Sequence, residues 1–211
     1  MSPWFGPPEN ELGVGVPTGL LLARTDDLAI AVLDVTAYST GFALRLALRI
    51  HHDAEGFDPR TFMMRLHGGP GAAAQPGGGL PDDLLRFGIE FADGRRATSL
   101  GPRPRPGDEP PAICMIHAGG GGGGGRGYEL RYWVFPLPPP GPLTLAVEWP
   151  ARGIELTKHE IDAAAIVAAA AGSGQLWEDS RPTGGGAAGG HSSFQVRLSP
   201  ESPPPPSPDA A

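Results

Sequence analysis

Three glutamates, Glu90, Glu129 and Glu148, have the most direct route to chemistry in this chain. Two carboxylates about 5–10 Å apart across a cleft are what glycoside hydrolysis requires. These three are distant in sequence, so only the fold could bring a pair together. The arginines offer a different chemistry. Arg45 and Arg49 alternate with Ala43 and Ala47, and Arg131 follows Glu129 by two residues. Small residues between guanidinium groups leave them open to an anion or an acidic partner. A row of charges is also the ordinary way for a sheet face to meet water. Trp133 and Phe135 keep the parity of Glu129 and Arg131. Large aromatics there either cover a second core or mark an interaction patch. A bulge between Tyr132 and Trp133 would turn them inward and remove the patch.

Other motifs fall short of a site. His51-His52-Asp53 could join His67 or His117 around a metal. Adjacent histidines on a strand face opposite ways, however, so a solvated strand end suits them better. His159-Glu160 opens like HExxH, but Ala163 stands where the second histidine belongs. The seven glycines Gly119–Gly125 are followed by Arg126-Gly127 and a strand pattern. A phosphate loop needs Gly-Lys-Ser/Thr and then a helix, whose N–H groups meet the anion. Cys114 is the only cysteine, which excludes an intrachain disulfide and a cysteine-based zinc site. It lies in a short apolar run and is expected to be buried and inert. No G-x-S-x-G occurs. The residues therefore assign no catalytic group, metal or cofactor. The candidate interaction surface is Arg45, Arg49, Arg131 and Trp133.

The elements that must position these residues are strands. Phe42–Ile50 alternates cleanly, with Phe42, Leu44, Leu46, Leu48 and Ile50 on one face and the two arginines on the other. Leu85–Phe91 and Leu143–Trp149 repeat the pattern, the latter as the final core strand. Val14–Arg24, Leu28–Ala37, Arg60–His67, Ala112–His117 and Tyr128–Phe135 read as further strands. Pro17 lacks an N–H, so the first belongs at an edge or starts late. Asp93-Gly94 predicts a tight type I′ hairpin to Arg95–Leu100. Pro136–Pro142 predicts a polyproline crossing from one sheet to the other. Thr157 and Glu160 fit a capping box and predict one helix over 158–171, closed by Gly172 in the left-handed region. Leu176 and Trp177 are expected to anchor the chain after it. A short strand at Phe194–Leu198 has weaker support. About nine short strands, each with one wet face, and a late helix predict a two-sheet antiparallel β-sandwich, Ig-like in general architecture. Residues 1–13 read as a flexible lead-in, 14–178 as one domain, and 179–211 as a Gly/Pro-rich disordered tail.

Composition narrows the function. Gly and Pro fill 33 and 26 of 211 positions, concentrated in loops and in the tail. A net charge of −7 argues against a nucleic-acid binder that neutralises phosphates. The start of the chain lacks the basic and apolar regions of a signal peptide. The longest apolar run, Ala163–Ala171, is too short to span a bilayer. A cytoplasmic protein without membrane insertion is the expectation. Lys158 is the only lysine against 15 arginines, a bias that points to a GC-rich genome. The tail SPESPPPPSPDAA could serve an aromatic groove as a polyproline ligand, though its composition suits a solubilising end.

The stretch RYWVFPLPPPGPLTLAVEWPARGIE, with LRFGIEFADGRRAT before it and EIDAAAIVAAA after it, resembles a family of uncharacterised proteins from high-GC actinobacteria. The opening LLLARTDDLAIAVLDVTAYSTGFALRLALRI is similar to it too. The resemblance covers about residues 10–178 and centres on the W-x-x-PLPPPGPL block. It implies a single soluble domain in a bacterial cytoplasm and brings no activity, cofactor or catalytic residue. The functional expectation is a non-enzymatic β-sandwich module that contacts a protein or small ligand of unknown identity. The alternatives are a small hydrolase built on the distant glutamates and a carbohydrate-binding module with exposed aromatics in a row.

Overall fold

A computed structural model describes residues 3–51, 58, 80–101, 104–105, 108–118, 123–124 and 126–178. All of them belong to one compact unit, Met1–Glu178. The strands expected at Arg60–His67 and Phe194–Leu198 lie outside the described residues.

The fold is a two-sheet antiparallel β-sandwich. The larger sheet contains β2 (Val14–Val16), β3 (Leu20–Arg24), β4 (Leu28–Ala37), β5 (Phe42–Ile50), β8 (Cys114–His117), β9 (Gly123–Gly124) and β10 (Gly127–Phe135). Its order is β2-β4-β5-β10-β8, with β3 also on β4 and β9 also on β10. The smaller sheet has the order β12-β11-β6-β7, from β6 (Arg86–Glu90), β7 (Arg96–Thr98), β11 (Pro142–Trp149) and β12 (Ile154–Asp162). A ribbon of β1 (Glu11–Leu12) and β13 (Gly174–Gln175) stands apart.

The predicted parity decides which side chains meet between the sheets. Leu44, Leu46 and Leu48 of β5, Phe87 and Ile89 of β6, and Leu145 and Val147 of β11 are all buried in one core. The rings of Phe87 and Tyr132 approach across it at 5.5 Å. Pro17 splits the first strand into β2 and β3, which occupy the same edge of β4. That is where a residue without an N–H can sit. The segment Pro136–Gly141 carries the chain from β10 in the larger sheet to β11 in the smaller.

Several local expectations are corrected. Leu143–Trp149 is not the final core strand, because β12 follows and pairs with β11 from Pro142↔Asp162 to Trp149↔Ile154. The helix α1 covers only Ala163–Ala171, and Asp162 caps it by accepting from the Ala164 N–H at 2.8 Å. Thr157 and Glu160 are strand residues, not a capping box. The Thr157 hydroxyl instead donates to the Leu22 carbonyl at 3.2 Å, and His159 Nε2 lies 2.7 Å from the same oxygen. These bonds tie the edge of the smaller sheet to β3. Gly172 ends α1 at φ −92°, outside the left-handed region, with Ser173 Oγ donating to the Ala170 carbonyl. At the β6–β7 hairpin only Gly94 has positive φ, +84°. Its N–H bonds the Phe91 carbonyl, and the Phe91 N–H bonds Arg95. That is a type I turn closed by a left-handed glycine, not type I′, which needs two positive φ angles.

The lead-in expected to be flexible is held at several points. Glu11 accepts from the Ser39 N–H and hydroxyl. Asn10 exchanges hydrogen bonds with the Trp177 backbone. The anchor near Trp177 is thus main chain, and Trp177 itself is 66% exposed.

Candidate functional site

The outer face of the larger sheet gathers the predicted arginines. Register places Asp34, Arg45 and Arg131 in one cross-strand row. Ala31, Ala47 and Glu129 form the next, and Ala29, Arg49 and Gly127 another, with Arg24 beside Ala29. Glu129 therefore lies opposite Ala47, midway between two arginines. Its Oε2 accepts from Arg45 Nη1 at 3.2 Å and its Oε1 from Arg49 Nη2 at 2.8 Å. Arg45 Nε donates to Asp34 at 2.6 Å, and its Nη2 pairs with the same carboxylate. Arg49 Nη1 also donates to the Tyr128 carbonyl at 3.2 Å. Ala47, bracketed by these side chains, is 1% exposed although it faces outward.

The electrostatics follow from the contacts. The Arg49 hydrogen bond, aided by the charges of Arg45 and Arg49, holds the Glu129 carboxyl below its ordinary range. The hydrogen bond to Asp34 and the charges of Asp34 and Glu129 raise Arg45. Arg45 and Arg49 are thus not the open guanidinium groups that the alternation suggested. They are the middle of a four-member ladder, Asp34–Arg45–Glu129–Arg49.

Two arginines extend the ladder without joining it. Arg131 is exposed and stands directly opposite Arg45. Like charges in that position repel. Arg24 is exposed at the other corner. Neither has an ion pair among the described residues. Arg24 and Arg49 flank Ala29 in a depression of about 510 Å³ that Thr25, Asp26 and His51 also line. Arg24 and Arg131 are three strand spacings apart across the sheet and four residues apart along it, a diagonal of about 20 Å.

Trp133 is not part of this surface. The pairing of β10 with β5 runs without a shift from Gly127↔Arg49 to Val134↔Phe42, so no bulge turns Trp133 inward. It keeps the outward parity of Arg131 and yet is completely buried. Its indole N–H donates to the Pro3 carbonyl at 3.1 Å. Tyr38 meets it edge-on at 5.7 Å, and the Trp4 ring lies 6.2 Å from Phe135 at a tilt of 59°. A Cβ at Gly41 would collide with the Val134 backbone carbonyl and come within 2.8 Å of the Trp133 ring, so only glycine fits here. The start of the chain makes a small second core here.

The remaining candidates separate. Glu90 pairs with Arg96 at 2.8 Å, and Glu148 with Arg86 at 2.6 Å. Both are on the smaller sheet, where Glu90 pairs with Thr144, four residues from Glu148. That is about 13 Å along the strand. Glu129 belongs to the other sheet. No two of the three form a carboxylate pair across a cleft. Tyr132, Trp133 and Trp149 are all buried, which removes the aromatic row that a carbohydrate-binding face would present. Cys114 is buried, and burial pushes its thiol up to about 11. Among the described residues no group of three or more His, Cys, Asp or Glu could hold a metal ion. His52, Asp53 and His67 lie outside them, as does most of the glycine run. No helix among the described residues is long and apolar enough to cross a membrane.

Sequence reasoning missed Asp34 and Arg24. A register shift between Val32 and Asp34 brings Asp34 onto the arginine face, and nothing in the run LAIAVLDVTA marks it. Arg24 could have been found as the last residue of the first predicted strand. Comparison with protein-family models, curated proteins and solved structures finds no match to this chain.

Proposed function

We propose that the protein is a non-catalytic β-sandwich module that binds an acidic stretch of another protein along the outer face of its larger sheet. The observation that carries this reading is the pair Arg24 and Arg131, both without a carboxylate partner among the described residues, at opposite corners of the salt-bridged ladder. Their separation of about 20 Å suits an extended segment better than one small anion. Four arginines on this face meet Asp34 and Glu129, with Asp26 at its corner beside Arg24, which leaves a local positive excess on a chain whose total is −7. The ladder supports the reading too, because it fixes the central guanidinium groups before a partner arrives and lowers the ordering cost.

The hydrolase reading has less support, since each of Glu90, Glu129 and Glu148 already faces an arginine. The preference for arginine over lysine favours a high-GC bacterial host, and a cytoplasmic setting in an actinobacterium is part of the same proposal.

Fluorescence anisotropy with a labelled oligoglutamate peptide tests the reading. Binding should weaken steeply with salt. Arg24→Ala and Arg131→Ala should each weaken it several-fold without changing the fold. A peptide that does not bind, or binds both variants as well as the parent, would overturn it.

A further inference from the structure

The helix α1 runs into the β1–β13 ribbon through Gly172 and Ser173. A Cβ at Gly172 would sit 3.7 Å from the Val14 side chain, so the helix end packs close to the strand that follows β1. This corner carries four of the large apolar side chains that the described residues leave exposed: Leu12, Val167, Leu176 and Trp177. We propose that the corner is a two-fold interface with a second copy of this chain, in which Trp177 of each copy packs on the α1 face of the other.

The ribbon holds Trp177 ready. Its register pairs Glu11 with Gln175 and Leu12 with Gly174, and the Leu176 N–H extends it by donating to the Asn10 carbonyl at 3.2 Å. Leu12 and Leu176 are therefore diagonal neighbours on one face of the ribbon. The Asn10 amide then clamps the next residue. Its Nδ2 donates to the Trp177 carbonyl at 2.8 Å, and its Oδ1 accepts from the Trp177 N–H at 2.9 Å. A tryptophan on a backbone fixed in this way has little left to lose in ordering when it is buried by a partner.

The helix supplies the surface that receives it. Ala163, Ile166 and Ala170 turn one side of α1 into the core. The other side exposes Ala164, Val167, Ala168 and Ala171, and α1 has no polar side chain at all. A helix that is apolar all round belongs in an interior, and this one is covered on one side only. Within a single chain Trp177 and Val167 both stay exposed, so the ring and the helix face are each left open. A two-fold axis fills both at once, because each copy then gives its ring and receives the other's. Charge argues for the same occupant. From Ile161 to Glu178 there is no lysine or arginine, so an anionic lipid surface or an acidic peptide finds no counter-charge. Glu11 is taken up by Ser39 and Asp162 by the Ala164 N–H, which leaves only the exposed Glu9 and Glu178 to make the margin weakly acidic. What the corner offers is apolar area, and a face of the same composition matches it.

Sedimentation equilibrium of the full chain over a micromolar to submillimolar range tests this. It should show a reversible monomer–dimer equilibrium, weak because a three-turn helix and a short ribbon make a small interface. Sodium sulfate should tighten the dimer, since it strengthens apolar burial and screens the acidic margin, whereas salt weakens an acidic peptide on the arginine face. Trp177→Ala removes the ring. Ala168→Arg blocks the surface that receives it, at an exposed position where arginine is a good helix former. Each variant should weaken the dimer about tenfold or more with an unchanged circular dichroism spectrum. Each variant alone lacks both ring-to-helix contacts, while an equimolar mixture regains one of them. The mixture should therefore associate more strongly than either variant alone. The proposal is overturned by a monomer at every concentration, which would mean that something else covers the corner, by a dimer that both variants retain, or by a mixture no stronger than its components.

Discussion

The two ends of β10 share a strand and a parity but not a fate. Glu129 and Arg131 face outward into a charged, partly exposed surface. Trp133 faces the same way four residues beyond Glu129 and is sealed. The difference comes from a partner 130 residues away, the Pro3 carbonyl that receives the indole N–H. Alternation settles which side of the sheet a residue occupies. Whether that side meets water depends on what the rest of the chain lays over it.

The largest effect should come from the sealed end. Trp133→Ala removes a fully buried indole and its hydrogen bond, at a cost of about 3–5 kcal/mol. Urea unfolding followed by circular dichroism measures it. A loss below about 1 kcal/mol would mean that the second core is not a true core. Gly41→Ala comes next, because its methyl group would run into the Val134 backbone carbonyl and press on the Trp133 ring. Overpacking of this kind costs about 1–3 kcal/mol.

The same contrast explains how much of the molecule could be read from its sequence. β4 and β5 run over the predicted residues because their inward faces are apolar throughout. Residues 158–162 of β12 fit the start of a helix because Thr157 and Glu160 have the spacing of a capping box, yet Thr157 and His159 point inward from a strand. Their polar groups are satisfied by Leu22 on the opposite sheet, a contact that no local pattern reveals. The arginine face was legible in part. Arg45, Arg49 and Arg131 were found by parity, but their ion-pair partners depend on register. Glu129 was considered only as a catalytic acid, and its place opposite Ala47 makes it the clamp between two arginines.

Glu129→Gln tests that clamp. The folded carboxyl sits below its ordinary range, so it contributes stability that is present above the unfolded carboxylate pKa. That contribution fades as pH falls through the folded value. The parent should therefore lose stability on acidification across and below the usual carboxylate range, and the variant should show a flatter acid limb. At neutral pH the cost should be about 0.2–1 kcal/mol, because the pairs are partly exposed and screened. Denaturant midpoints measured across acidic pH supply the comparison. Parallel acid limbs would mean that Glu129 is not held by Arg45 and Arg49.

Arg131→Ala should have the smallest effect on stability, within about 0.5 kcal/mol. Arg131 has no ion pair among the described residues and faces Arg45, so its removal relieves a repulsion as well as shortening a side chain. A slight gain in stability is the expected sign. It separates the two ends of β10 most sharply, because Trp133 then carries packing while Arg131 carries charge that the fold does not need. If Arg131→Ala proved as damaging as Trp133→Ala, the outer face would be one continuous structural layer. The argument for an available arginine at its corner would then fail with it.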